Sequence, residues 1–70
     1  MDKNPIPKAV AEKILKQAGA RRVSEDAKQA FADVLMEEAM NIGKKSGEIA
    51  KHSGRKTIHD SDIKMAVKNW

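Results

Sequence analysis

The stretch SEDAKQAFADVLMEEAMNIGKKSGEIAKHSG, residues 24–54, decides the fold because it predicts one long helix. Ser24 is a good N-cap, and the acidic residues after it complement the helix dipole. No proline interrupts the run, and Gly54 supplies a stop. The predicted helix therefore runs from about Glu25 to about Ser53, which is roughly 45 Å at ~1.5 Å per residue.

Two glycines inside this stretch weigh against a continuous helix. Gly43 and Gly47 each cost about 1 kcal/mol relative to alanine in a helix interior, and a kink there is the main alternative. The apolar periodicity nevertheless continues across both of them. The residues that carry it are Leu35, Ala39, Ile42, Ile49 and Ala50.

A shorter helix is predicted before the long one. It opens at Pro5-Ile6-Pro7, where a proline suits the first helical turn, and Gly19 stands where a glycine C-cap is expected. One apolar stripe follows at helical spacing. Its members are Pro7, Val10, Ala11, Ile14, Leu15 and Ala18.

A second short helix is predicted after the long one. Thr57 and Asp60 have capping-box spacing, although Asp replaces the usual Glu or Gln. The apolar positions Ile63, Ala66, Val67 and Trp70 follow at helical spacing. The chain is thus predicted to be an all-α domain over residues 1–70, with helices in the order short, long, short.

The same pattern predicts that the chain needs a partner. A 70-residue chain buries only ~60% of its unfolded surface, and with no Cys it has no disulfide to stabilise it. Apolar side chains cover more than one side of the long helix, and two short helices cannot cover them all: Ala27, Ala30, Phe31, Val34 and Leu35. We therefore expect an obligate dimer in which folding and assembly are inseparable.

The net charge of +4 is unevenly distributed. Residues 1–22 hold six Lys/Arg against two Asp/Glu, residues 23–53 hold four against six, and residues 54–70 hold four against two. Basic ends around an acidic middle favour patches for a polyanion. An ordinary lysine-rich surface remains the alternative.

Other functional classes find little support. Nothing pairs the carboxylates with a nucleophile, a glycine-rich phosphate loop or a metal cluster, so we expect no enzyme, no cofactor and no metal. No apolar run suits a signal peptide or a membrane span. We expect a cytoplasmic protein with no membrane partner.

Two strings, AGARRVSEDA at 18–27 and KHSGRKTIHDSDIKMAV at 51–67, resemble the archaeal histones. The resemblance spans essentially the whole chain and implies the histone fold, in which two chains form a head-to-tail handshake dimer with crossed long helices. It implies double-stranded DNA as a partner, bound without base reading, wrapped and compacted, and it implies association with the chromosome in the nucleoid.

The resemblance also implies roles for individual residues. Arg22 matches the side chain that enters the minor groove, supported by the partner's Thr57, and this suits the planar fork of arginine. Lys56 matches a phosphate contact, and Lys13 and Lys16 match basic positions on the first helix. Arg21 is a further candidate for DNA contact. Each could instead be an ordinary solvated side chain.

Further matches concern structure and assembly. Arg55 and Asp62 match an internal salt bridge that anchors the third helix. Ile49, His52 and Asp62 match positions where dimers join into tetramers or larger assemblies. Gly19 matches a position kept small where successive DNA turns approach each other.

Some residues depart from the archaeal histone pattern. Gly47 replaces a large apolar residue, Glu12 adds negative charge to the first helix, and Lys44 and Lys45 make the long helix more basic. Two other functions stay open: a histone-fold adaptor that heterodimerises in a transcription complex, and a dimer that coats or bridges DNA without wrapping it. Pairing with histone paralogues is also open.

Overall fold

A computed structural model describes residues 4–68, and these residues form three α-helices. The helices are α1 (Lys8–Gln17), α2 (Glu25–His52) and α3 (Asp60–Lys68). No strand occurs between residues 4 and 68, so the predicted all-α order of short, long and short helices is confirmed. Trp70, which the predicted stripe of α3 included, lies outside the described residues.

Helix α2 is continuous over its 28 residues, so the prediction of one unbroken long helix is confirmed. Neither Gly43 nor Gly47 interrupts it. The predicted N-cap is also in place, because the Ser24 hydroxyl accepts a hydrogen bond from the Ala27 N–H at 3.1 Å. The helix ends at His52, one residue earlier than the sequence predicted.

Helix α1 ends in a Schellman motif built on the predicted glycine. Gly19 has a φ of +120°, in the left-handed region that favours glycine. Its N–H donates to the Lys16 carbonyl at 3.0 Å, and the N–H of Ala20 donates to the Leu15 carbonyl at 3.0 Å. These bonds satisfy carbonyl groups that the end of the helix leaves without partners.

Helix α2 ends in the same motif. Gly54 has a φ of +75° and donates its N–H to the Lys51 carbonyl at 2.9 Å. The N–H of Arg55 donates to the Ala50 carbonyl at 3.0 Å. This motif positions the start of the segment that leads to α3.

The start of α1 differs from the prediction. Pro7 lies one residue before the helix, as its N-cap, because its ψ of 147° is extended rather than helical. Its carbonyl still accepts hydrogen bonds from the N–H groups of Val10 at 3.1 Å and Ala11 at 3.2 Å. The proline therefore begins the helix without belonging to it.

The predicted capping pair of α3, Thr57 with Asp60, is wrong. Asp60 is the first helical residue, so His59 occupies the N-cap position. The carboxylate of Asp62 reaches back and accepts a hydrogen bond from the His59 N–H at 2.8 Å. This is the carboxylate half of a capping box, two residues later than predicted, and its physical cause is the second set of bonds that Asp62 makes.

The chain falls into two compact units, one up to Glu37 and one from Glu38 onward. In the first unit the buried side chains include Ala11 and Ala32. In the second they are equally small or polar: Ser46, Ala50, Asp62 and Ala66. The largest fully buried side chain among the described residues is that of Ser46, so neither unit encloses a large apolar side chain completely.

Large apolar side chains are exposed in both units instead. Val34, Met65 and Val67 are each about half exposed. An exposed apolar set of this kind marks a surface that another protein covers. Its members are Val10, Ile14, Val34, Met40, Ile58, Ile63, Met65 and Val67.

Candidate nucleic-acid interface

Arg21 and Arg22 lie exposed on the short segment between α1 and α2. The segment begins at the Gly19 motif and ends at the Ser24 cap, so hydrogen bonds define both of its ends. Val23, the next residue, is partly buried. Two guanidinium groups are thereby held at the surface on a short, well-anchored connection.

The two α1 lysines that the sequence proposed for DNA contact differ in their surroundings. Lys13 is exposed on α1. Lys16 is also exposed, but its Nζ lies 3.2 Å from Oε2 of Glu12, one helical turn earlier. The negative charge that Glu12 adds to α1 is therefore paired with a cation that was assigned to DNA.

Glu12 makes a second ion pair, with a residue that no sequence motif singles out. Its Oε1 lies 3.3 Å from Nζ of Lys28 on α2. Lys28 in turn lies 2.9 Å from Oε2 of Glu25, and Oε1 of Glu25 lies 3.9 Å from Nζ of Lys8. Lys16 and Lys28 lower the pKa of Glu12, in that order of importance, so the carboxylate stays charged at neutral pH.

Lys56 and Thr57 lie exposed on the segment between α2 and α3. Arg55 organises this segment: it donates hydrogen bonds to the Thr57 carbonyl at 2.9 Å and to the two oxygens of Asp62 at 3.0 and 2.9 Å. Hydrogen bonds from Arg55 and the His59 N–H lower the pKa of Asp62 to about 2. Arg55 is therefore engaged within the chain, while Lys56 beside it stays exposed.

An open hollow of about 460 Å³ lies at the end of α2. Its lining consists of Gly47, Lys51, Gly54, Arg55 and Lys56, so every charged side chain in that lining is a cation. A Cβ added to Gly47 would meet nothing within 4 Å. The glycine that departs from the archaeal histone pattern therefore widens a basic concavity.

The residues predicted to join dimers have different exposures. His52 is exposed as the last residue of α2, and Ile49 is partly buried. Asp62 is only 2% exposed and already accepts three hydrogen bonds within the chain. A carboxylate offers about four lone-pair sites, so Asp62 retains room for one more donor.

Two classes of site can be examined in the described residues. Between residues 4 and 68, no three His, Asp or Glu side chains are grouped so that they could hold a metal ion. In the same part of the chain, no helix is both long enough and apolar enough to cross a membrane.

Three helices in the order short, long and short, with exposed cations on both connecting segments, define a histone-fold protein. The chain belongs to the family described as histone-like transcription factor (CBF/NF-Y) and archaeal histone, whose model matches residues 4–67. Membership places it among DNA-binding histone-fold proteins rather than among enzymes.

Two curated archaeal proteins are similar to the chain over nearly its whole length. The archaeal histone HAN1 from Thermococcus zilligii is 48% identical over 63 residues, which cover 90% of this chain and 94% of the relative. Probable archaeal histone 3 from Methanocaldococcus jannaschii is also 48% identical over 63 residues, with the same coverage. The resemblance to archaeal histones that the sequence indicated is thus confirmed.

Proposed function

We propose that this protein is a chromatin protein that binds double-stranded DNA as a homodimer, without reading its base sequence, and wraps and compacts it. It acts as a single histone-fold domain over residues 1–70 and is associated with the chromosome in the nucleoid. The family match over residues 4–67 carries this proposal. The exposed cations Arg22 and Lys56, one on each connecting segment, support it.

The need for a dimer is supported by what the single chain leaves uncovered. Burial of apolar surface contributes about 25 cal/mol per Å², and a chain whose fully buried apolar side chains are alanines obtains little of it. A second copy, with its long helix crossing the first in the handshake arrangement, would cover the exposed apolar set. Folding and dimerisation are then one process.

The DNA contacts would come from both connecting segments. Arg22 inserts into the minor groove, supported by the partner's Thr57, and Lys56 binds phosphate. Minor-groove arginines combined with backbone contacts allow wrapping without base recognition. Lys13, Lys16 and Arg21 contribute further contacts to the phosphate backbone.

Dimers would join through the end of α2 to form tetramers and longer assemblies. His52 is exposed there, and Asp62 keeps one acceptor site for a donor from a neighbouring dimer. Ile49 supplies apolar area beside them. Gly19 has no side chain that would obstruct the approach of successive DNA turns.

Sedimentation equilibrium of the purified chain tests the dimer. We expect a dimer at micromolar concentration, with a melting temperature that rises with protein concentration. A stably folded monomer at that concentration would rule out the handshake assembly. Ile63→Asp and Val67→Asp place a charge in the exposed apolar set and should prevent both folding and dimer formation.

Micrococcal nuclease digestion of protein–DNA mixtures tests wrapping. Protected fragments that grow in discrete increments indicate wrapping, and smeared protection indicates coating or bridging. The absence of protection would favour the second candidate, an adaptor that heterodimerises with a histone paralogue in a transcription complex. Histone-like transcription factors belong to the same family, and this is the observation that favours the adaptor.

A further inference from the structure

Five side chains in the first compact unit form a chain of alternating charge, called here the ion network. Lys16 pairs with Glu12 at 3.2 Å, and Glu12 pairs with Lys28 at 3.3 Å. Lys28 continues to Glu25 at 2.9 Å, and Glu25 continues to Lys8 at 3.9 Å. Each glutamate thus lies between two lysines, and the ion network runs between α1 and α2.

Solvent reaches the members of the ion network unequally. The Lys28 side chain is 15% exposed and the Glu12 side chain 31% exposed, whereas the Lys16 side chain is 50% exposed. Pairs that are shielded from water are screened less by salt than exposed ones. The contact between Glu12 and Lys28 is therefore the more persistent one, and Lys16 is the member that can leave.

Glu12 uses a different oxygen for each lysine: Oε2 faces Lys16 and Oε1 faces Lys28. A phosphate group that binds Lys16 must therefore displace one carboxylate oxygen, while the other stays on Lys28. The carboxylate also stays beside the incoming phosphate, since its lowered pKa keeps it ionised at neutral pH. Both effects oppose binding of a polyanion at this end of α1.

We infer that Glu12 limits the affinity of α1 for DNA phosphate by holding Lys16 in the ion network. This inference rests on the proposed DNA-binding function and deepens it. The protein would then bind DNA through its connecting segments first, and Lys16 would contribute only after exchanging Glu12 for phosphate. Glu12 is thus a residue that sets affinity without touching DNA.

The decisive measurement is duplex binding over a series of salt concentrations for four proteins: the natural chain, Glu12→Gln, Lys16→Gln and the double variant. Each released phosphate contact changes the slope of log K against log salt by about 0.9. Glu12→Gln should steepen the slope by about that amount per chain and tighten binding roughly three-fold to ten-fold at low salt. Lys16→Gln should weaken binding more in the Glu12→Gln background than in the natural chain.

Glu48→Gln is the matched control, because it removes the same charge from an exposed position of α2. It measures the general effect of one less negative charge. The inference fails if Glu12→Gln binds no more tightly than Glu48→Gln, or if Lys16→Gln has the same effect in both backgrounds. If the natural chain does not bind duplex at all, the proposed function fails instead.

A second measurement needs no DNA and no Glu12 variant. Lys16 is the leading cause of the lowered pKa of Glu12. Titration of the glutamate side chains by NMR should therefore show the pKa of Glu12 rising in Lys16→Gln. An unchanged pKa would mean that Lys16 is not held, and the inference would be overturned even if Glu12→Gln could not fold.

Discussion

Arg55 donates two parallel hydrogen bonds to the two carboxylate oxygens of Asp62, at 3.0 and 2.9 Å, across seven residues of sequence. The pair ties the end of α2 to the first turn of α3. Bidentate pairs of this kind are stronger and more specific in geometry than single ion pairs. Because Asp62 also accepts the His59 N–H at 2.8 Å, one side chain both anchors and caps α3.

Acid should destabilise the protein through Asp62. Its pKa is lowered from the ordinary 3.8 to about 2 in the folded chain, so the unfolded chain takes up the proton first as the pH falls. The contribution of this carboxylate is complete above pH 3.8 and is lost between pH 3.8 and about 2. Chemical denaturation at fixed protein concentration across this range should show that loss.

Asp62→Asn provides the comparison. It lacks the titrating group, so its stability should be lower at neutral pH and should change less between pH 4 and pH 2. Parallel pH profiles for the natural chain and Asp62→Asn would contradict the assigned role of the carboxylate.

Two glycines should respond to alanine in opposite directions. Gly47 lies inside α2 and has space for a Cβ, so Gly47→Ala should stabilise the chain by about 1 kcal/mol. Gly54 has a φ of +75°, so Gly54→Ala should destabilise it by about 1 kcal/mol, because alanine is strained there. Thermal and denaturant unfolding at one protein concentration measure both.

Gly43→Ala is the internal control for helix propensity. Gly43 also lies inside α2 with open space around a Cβ, so it should stabilise by a similar amount. If Gly43→Ala stabilises but Gly47→Ala destabilises, the partner chain fills the space beside Gly47 in the dimer.

Arg22→Ala should weaken duplex binding about equally for all DNA sequences. A minor-groove arginine contributes without reading bases, and its loss should make the salt slope less steep by about 0.9 per chain. Fluorescence anisotropy with two duplexes of unrelated sequence measures both effects. Arg21→Ala is the matched neighbour and should weaken binding less; if the two variants bind equally well, Arg22 has no special role.

His52→Ala should leave dimers intact and shorten the ladder of protected DNA. His52 is exposed at the end of α2, where dimers are proposed to join, so its loss affects assembly rather than folding. Sedimentation reports the dimer and nuclease digestion reports the ladder. His59→Ala removes the other histidine of the chain and should keep the full ladder; a full ladder with His52→Ala would exclude the dimer–dimer role.

Helix ends were predictable from the sequence wherever the neighbouring residues alone decide them. Ser24 caps α2 through a bond to Ala27, and Gly19 and Gly54 take the positive φ that the ends of α1 and α2 require. These effects involve bonds between residues at most five apart, so they can be recognised in the order of residues. The exposure of Arg22 was predictable for a similar reason, because connecting segments run over the surface.

The charge partners of the candidate site were only partly predictable. Glu12 and Lys16 are spaced for a pair within one helix, and that spacing is visible in the sequence. The second partner of Glu12, Lys28, belongs to another helix. From the sequence, Glu12 is therefore expected to add free negative charge to α1, whereas the structure shows it paired on both sides.

By itself the order of residues determined three helices, two glycine stops and the exposure of basic connecting segments, since hydrogen bonds and backbone angles within a few residues control each of these. Tertiary structure alone decided that Asp62 rather than Thr57 acts in the cap of α3, and that Glu12 joins α1 to α2. Both outcomes depend on a long cation from another segment, Arg55 or Lys28, coming within about 3 Å of the carboxylate. That distance is set by how helices pack and cannot be read from spacing along the chain.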